Sequence, residues 1–177
     1  RSGVALFGST HAQANWREES SAPMLAKDNI YSYNPRMNDW NPDLHPKAEA
    51  LAMSEMSVLA MRIENKDIID GSLGSMVELG IALLSAKLNG QRVVVSFEEN
   101  IENTLKESGA LAQYISLESA LEDAQRLYPD LVTVQRGGSL EEFNTAIKSA
   151  VEEQRDEQTA LKPEVKLLKD RKSTRLN

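Results

Sequence analysis

Residues 75–97 read SMVELGIALLSAKLNGQRVVVSF, a helical pattern followed at once by a strand. The first part is apolar at helical spacing and closes on Asn89-Gly90, a common way for a helix to end. The second part, residues 92–97, is rich in β-branched side chains and nearly continuous in its apolar character. Such a run is typical of a strand that helices cover on both faces. The pair predicts one helix–strand unit of an α/β fold.

The same alternation continues on both sides of this unit. Short apolar runs predict strands at residues 4–7, 30–33 and 58–61. Helical patterns cover residues 15–27, 47–55, 117–127 and 140–153, and residues 114–116 and 131–134 are two further strand candidates. Strands that alternate with helices at this pitch imply right-handed crossovers and a parallel sheet. We therefore expect a three-layer Rossmann/flavodoxin-like α/β fold with a mainly parallel sheet of roughly five strands.

The composition of the chain argues against several classes of function. The chain has 177 residues, a net charge of −7 and no cysteine, so disulfides and thiolate catalysis are excluded. Its two histidines, His11 and His45, lack metal-ligand spacing, so they do not predict a metal site. The absence of a basic stripe argues against a nucleic acid polymer as partner, and no apolar run is long enough for a membrane span. A cytoplasmic location is the default expectation.

The chain reads as one domain over residues 1–153, followed by a charged and disordered tail over residues 154–177. The last eight residues, DRKSTRLN at 170–177, resemble the in-frame translation of a common sequencing adapter. We expect them to be non-native and leave them out of the fold argument.

Glu78 is the acidic residue with the most suggestive context. It follows a small-residue loop that begins at Asp70, and the pattern places it in the first turn of a helix. The positive end of a helix favours the ionised form of an acid, and an ionised, positioned carboxylate is a nucleophile for a sugar carbon. A surface glutamate that only complements the helix dipole is the alternative. The turns after the first three predicted strands all fall at the carboxyl edge of the sheet, where α/β folds bind ligands.

Several segments together resemble the nucleoside 2-deoxyribosyltransferase-like family, which includes the 2′-deoxynucleoside 5′-monophosphate N-hydrolases. The resemblance covers residues 4–97 of the domain, and its most specific piece is the Glu-Leu-Gly motif after a small-residue loop. The segments that carry it are Val4-Ala5-Leu6-Phe7-Gly8-Ser9, Trp16-Arg17, Asn34-Pro35-Arg36 with Asp39-Trp40, Ala48-Glu49, and Ser72-Leu73-Gly74 with Glu78-Leu79-Gly80.

The resemblance implies an enzyme that cleaves the N-glycosidic bond of (deoxy)nucleosides or their 5′-monophosphates, by hydrolysis or by base exchange. It implies that Glu78 is the nucleophile and forms a covalent glycosyl intermediate, and that Glu49 holds the sugar and tunes Glu78. The family needs no cofactor and assembles as dimers or larger homo-oligomers, in which a neighbouring subunit completes the pocket. The substrate-binding residues that it implies are Gly8, Ser9, Thr10, Asp39, Trp40, Asp70, Ser72 and Gly74.

Each assignment has a simpler structural alternative. Glu49 can be a solvated helix residue, Ser72 a helix-entry residue, and Gly8 part of an ordinary turn. Trp40 can anchor its loop instead of stacking on a base, and Arg17 can be a surface charge instead of a phosphate ligand.

The chain also departs from the family pattern. Met56-Ser57 stands where the family often has Ala-Asp, and Ser72 stands where the transferases have aspartate, although Asp70 is near enough to substitute. These departures favour monophosphate hydrolysis over base exchange. They also leave open a non-catalytic nucleotide-binding module on the same scaffold, or a stand-alone interaction domain.

Overall fold

Five strands alternate with helices along the chain. In this computed structural model the described residues are 3–8, 15–36, 41–71 and 73–173. The strands are β1 (Gly3–Phe7), β2 (Tyr31–Tyr33), β3 (Val58–Ile63), β4 (Arg92–Phe97) and β5 (Val132–Gln135). The helices are α1 (Ala22–Lys27), which continues a π-helical segment at Arg17–Ser21, and then α2 (His45–Glu55), α3 (Asn65–Ile69), α4 (Leu73–Asn89), α5 (Ile101–Ser108), α6 (Leu111–Leu127) and α7 (Leu140–Ser173).

The strands form a single sheet in the order β2-β1-β3-β4-β5, and every neighbouring pair is parallel. This is the doubly wound, flavodoxin-like order, in which the direction of winding reverses between β1 and β3. The predicted α/β fold is confirmed. The carboxyl ends of β1 and β3 flank the crevice in which folds of this order bind ligands.

Apolar side chains on each strand alternate between two cores. On one face, Val4 and Leu6 of β1 pack with Trp16, Leu25 and Phe143, so α1 and α7 cover that side. On the other face, residues from β1, β3 and β4 pack against α2, α4, α5 and α6. Because both faces are covered, the strands are apolar on both sides, as the sequence indicated.

Four predictions of secondary structure need correction. The strand candidate at residues 114–116 is wrong: these residues lie inside α6, where Tyr114 packs edge-on against Phe97 with ring centroids 5.2 Å apart. The short helices α3 and α5 were not predicted. Helix α4 begins at Leu73, so Glu78 lies in its second turn and not in the first.

The fourth correction concerns α7, which continues to Ser173 and not only to residue 153. Arg92 at the start of β4 pairs with Glu153 and Glu157 of α7, at 2.7 and 2.6 Å, and so holds the helix beyond its predicted end. The division into a domain and a tail stays a prediction. Among the described helices, none is both long enough and apolar enough to cross a membrane.

Candidate functional site

The chain turns sharply at Gly8, directly after β1. Gly8 has a φ of +122°, a backbone conformation that residues other than glycine rarely adopt. A Cβ at this position would lie 2.8 Å from the carbonyl oxygen of Arg62 and 3.1 Å from Nη2 of Arg17. Glycine is therefore required here, because the ends of β1 and β3 and the Arg17 guanidinium converge on the same small space.

Arg17 is a buried cation, 0% exposed, on the π-helical segment that precedes α1. Its Nε donates a hydrogen bond to the Leu6 carbonyl oxygen at 3.1 Å, and its Cζ lies 4.4 Å from the ring centroid of Trp16. Burial lowers the pKa of Arg17 to about 10, while the carboxylates of Glu18, Glu64, Asp67 and Glu78 act in the opposite direction. The surface alternative for Arg17 is wrong, because the guanidinium lies under the carboxyl end of β1.

Glu78 is half-buried in the second turn of α4. The pKa of Glu78 is raised to about 7, chiefly by burial and also by the charge of Glu49, while the charge of Arg17 acts in the opposite direction. The expectation that the helix end keeps this acid ionised is therefore corrected. Desolvation and a neighbouring acid outweigh the helix dipole, whose effect falls off beyond the first turn.

Glu49 of α2 is the acid that interacts with Glu78. It is half-buried, and burial raises its own pKa, while His45 lowers it. The structure thus brings together two acids that are 29 positions apart in the sequence numbering, 49 and 78. Two negative charges in a partly dry site are unfavourable, so the charge of Glu49 favours the protonated form of Glu78.

Tyr33, at the end of β2, belongs to the same cluster and is not among the site residues predicted from the sequence. Burial raises the pKa of its hydroxyl to about 12, with further contributions from Glu49, Tyr31 and Glu78. Among the residues that the structure describes, its buried hydroxyl has no hydrogen-bond partner. The signal that could have found it is its place at the carboxyl end of a strand next to β1.

Asp67 of α3 is a second residue that the sequence did not single out. It is 2% exposed, and its Oδ2 accepts a hydrogen bond from the Glu64 amide at 2.8 Å. Its Oδ1 has no partner within the described part of the chain. The charge of Asp67 also raises the pKa of Arg17, so Asp67 extends the buried charge cluster towards α3.

The other predicted site residues fall into two groups. Asp70 follows α3 and Gly74 lies in the first turn of α4, and both are exposed. Five lie outside the described residues, and their roles stay predictions: Ser9, Thr10, Asp39, Trp40 and Ser72.

A polar cleft of about 350 Å³ opens beside the end of β2. Its half-buried Arg36 donates to Asn15 Oδ1 at 2.9 Å and lies 3.5 Å from Glu18 Oε2. Asn34 donates to the other oxygen of Glu18 at 2.8 Å. Arg36 is therefore held by groups of its own chain, which makes it a poor candidate for a phosphate ligand.

Among the described residues, no group of three or more histidine, aspartate or glutamate side chains could hold a metal ion. What the site offers chemically is a pair of interacting acids, a tyrosine hydroxyl and a buried guanidinium at the crevice between β1 and β3. In comparisons with known proteins, no family model and no curated protein matches this chain.

Proposed function

We propose that the chain is an enzyme that cleaves the N-glycosidic bond of (deoxy)nucleosides or their 5′-monophosphates, with Glu78 as nucleophile. The observation that carries this proposal is the meeting of Glu78 and Glu49 beside Tyr33 and Arg17, at the carboxyl ends of the central strands. The resemblance of the sequence motifs to nucleoside 2-deoxyribosyltransferase-like proteins supports the same chemistry.

In the first step an oxygen of the Glu78 carboxylate attacks C1′ of the pentose. The C1′–O bond forms as the C1′–N bond breaks, and the base leaves with the electron pair and takes up a proton from solvent. The product is a glycosyl ester of Glu78. Retaining glycosidases follow the same scheme, in which a carboxylate traps an oxocarbenium-like centre.

In the second step water attacks C1′ and breaks the ester bond. The water loses a proton to solvent, and Glu78 returns as a carboxylate. If a second nucleobase attacks in place of water, the outcome is base exchange. Glu49 and Tyr33 face the same region, and we assign them to the sugar hydroxyls and to the control of the charge on Glu78.

Arg17 supplies the counter-charge for this step. Its guanidinium lowers the pKa of Glu78 against the combined effect of burial and Glu49, so it favours the nucleophilic form. The contacts with Leu6 and Trp16 hold this cation under the strand ends.

The test is incubation with a panel of nucleosides and nucleoside 5′-monophosphates, followed by detection of the free base. We expect Glu78→Ala to lose at least about a hundredfold in kcat/KM, because the covalent step needs that oxygen. Glu107→Ala, an exposed glutamate on α5, is the control and should keep full activity. Addition of a second free base separates transfer from hydrolysis. Full activity in Glu78→Ala contradicts the proposal.

The second candidate is a non-catalytic nucleotide-binding module. It is favoured by the raised pKa of Glu78, which leaves much of this acid protonated at neutral pH, and by Ser72 in place of the transferase aspartate. A nucleotide that binds to the wild-type protein without release of base would establish it. For either function we expect a homo-oligomer, as the resemblance implies.

A further inference from the structure

A cavity of about 620 Å³ lies between α3, α4 and α6. Met76 of α4 lines it, two positions before Glu78. Two positions correspond to about 200° around a helix, so the side chains of Met76 and Glu78 leave α4 in nearly opposite directions. The cavity is therefore separate from the acid pair of the candidate site. Its volume falls within the range of small-molecule sites, which is about 300–1,000 Å³.

The walls of this cavity are largely apolar. Ile68, Met76 and Leu117 line it, and each is half-buried, so each leaves apolar surface open to the cavity. The lining residues Gly71 and Ala112 are small, and no described atom lies within 4 Å of the place where a Cβ of Gly71 would be. A ligand with an apolar body would bury surface that the fold leaves partly exposed.

Asp67 forms the floor of the cavity. It is 2% exposed, whereas the other described lining residues are half-buried or exposed, with Gln113 and Ser116 at the outer rim. Its Oδ2 accepts a hydrogen bond from the Glu64 amide, and within the described part of the chain its Oδ1 accepts none. A buried acceptor without a donor is costly. A ligand that enters with an N–H group directed at Asp67 would remove that cost.

The surroundings of Asp67 favour a neutral donor over a cationic one. The charge of Asp67 raises the pKa of the buried Arg17, so the two groups lie close enough to interact. An ammonium group at Asp67 would be a second cation near that guanidinium, and like charges in a dry site repel each other. The N–H of a heteroaromatic ring is a donor without net charge. Met76 favours such a ring as well, because a thioether sulfur makes favourable contacts with aromatic rings.

We infer that this cavity is a second small-molecule site, which takes a planar nitrogen heteroaromatic ring whose neutral N–H donates to Asp67. The side chains of Ile68, Met76 and Leu117 supply the apolar contacts to the ring. A rigid ring also loses less conformational freedom on binding than a flexible chain of similar size. The inference does not rest on the proposed reaction, because none of the lining residues named here has a role in it.

The first experiment compares two probes that differ in the donor. Indole has one N–H group, and 1-methylindole has the same ring system without it. Titration calorimetry on the wild-type chain should give a Kd of about 0.1–1 mM for indole, as expected for a ligand of this size. Binding of 1-methylindole should be about tenfold weaker, because Asp67 would then stay without a donor.

The second experiment locates the bound probe. Ala112→Phe adds an aromatic ring at the rim of the cavity and should weaken indole binding at least about tenfold, because the ring fills the space. Ile115→Phe introduces the same ring at an exposed position of α6 outside the cavity lining, so it is the control and should bind indole like the wild type.

A third variant tests the floor. Asp67→Asn keeps the size of the side chain but has one acceptor oxygen in place of two, so it cannot accept the Glu64 amide and the ligand N–H on separate oxygens. The Kd values of indole and 1-methylindole should therefore become similar in this variant. Thermal unfolding by circular dichroism checks that each variant is folded, and the Ala112→Phe comparison stands without Asp67→Asn.

Four results would overturn the inference. They are no binding of indole up to its solubility limit, equal Kd values for the two probes on the wild-type chain, indole binding that Ala112→Phe leaves unchanged, and tighter binding of hexylamine than of indole. Release of base from nucleosides is a separate measurement, so a failed second site and a failed reaction would be told apart.

Discussion

At the residue scale, the acid pair of Glu78 and Glu49 sets the pH range of the site. A nucleophile must be ionised, and the pKa of Glu78 is raised to about 7, chiefly by burial. We therefore expect kcat/KM to be low at pH 5, to rise through about pH 7 and to level off above it. Because the charge of Glu49 adds to the effect of burial, the pH at which activity rises depends on Glu49 as well.

A single substitution tests that assignment. Glu49→Gln removes the neighbouring negative charge, so the pKa of Glu78 should fall and the activity rise should move to lower pH. Glu55→Gln, an exposed change on the same helix, is the control and should leave the profile in place. The measurement is kcat/KM from pH 5 to 9 for the three proteins. A profile that moves to higher pH in Glu49→Gln would contradict the role assigned to the pair.

Gly8 is the other residue whose substitution has a clear outcome. Gly8→Ala places a methyl group 2.8 Å from the Arg62 carbonyl oxygen at a φ of +122°, so both strain and collision oppose it. We expect a loss of about 2–4 kcal/mol in the free energy of unfolding, measured by urea denaturation. Gly74→Ala is the matched control, because no described atom lies within 4 Å of its Cβ position. Equal stability of the two variants would show that the backbone at Gly8 has neither this positive φ nor this close contact with Arg62.

At the element scale, hydrophobic pattern predicts the strands well and the short helices poorly. The run at residues 92–97 becomes β4 with the predicted bounds, because a strand covered on both faces needs apolar residues throughout. Tyr114-Ile115-Ser116 looks like a strand only in isolation. Leu111, Tyr114, Leu117 and Leu121 lie three or four positions apart along one buried face, which is the longer-range signal of α6.

The residues of the candidate site also differ in how well the sequence predicts them. Glu78 was singled out from its sequence context and Glu49 from the resemblance, whereas the burial of Arg17, of the Tyr33 hydroxyl and of Asp67 was not predicted. Each of these three becomes buried only when β1, β2 and α3 meet at the carboxyl edge of the sheet, so no local pattern reports it. The pKa of Glu78 was misjudged for the same reason, since its main cause is desolvation by residues distant in the sequence.

Arg92 connects the sheet to the later part of α7. Its side chain is only 11% exposed, contacts Glu153 and Glu157 and donates to the Asp130 carbonyl oxygen at 2.5 Å. Arg92→Met should therefore lower the free energy of unfolding by about 1–2 kcal/mol, or the melting temperature by about 2–8 °C. Arg126→Met is the control, because the Arg126–Asp123 pair is exposed and such pairs contribute little. Equal melting temperatures would mean that α7 needs no such anchor.

At the scale of the whole molecule, the reversal of winding between β1 and β3 gathers residues from distant segments into one crevice. Arg17 comes from the π-helical segment before α1, Glu49 from α2 and Glu78 from α4. Each of these elements belongs to a different strand-to-strand connection, and each brings its residue near the carboxyl ends of β1 and β3. A ligand that binds there would contact several elements at once. It should therefore stabilise the folded chain as a whole and not a single loop.

The possible functions can be distinguished by the melting temperature of the wild-type protein and of Glu78→Gln, measured with and without a nucleotide. A nucleoside monophosphate at about a hundred times its Kd should add about 2.7 kcal/mol to the free energy of unfolding, which is about 5–10 °C in melting temperature. Glu78→Gln keeps the shape of the site, so it should show a similar shift but release no base. A shift without base release in the wild-type protein would indicate a binding module. If no nucleoside or nucleotide shifts the melting temperature of either protein, the crevice does not bind this class of ligand, and the acid pair would need another explanation.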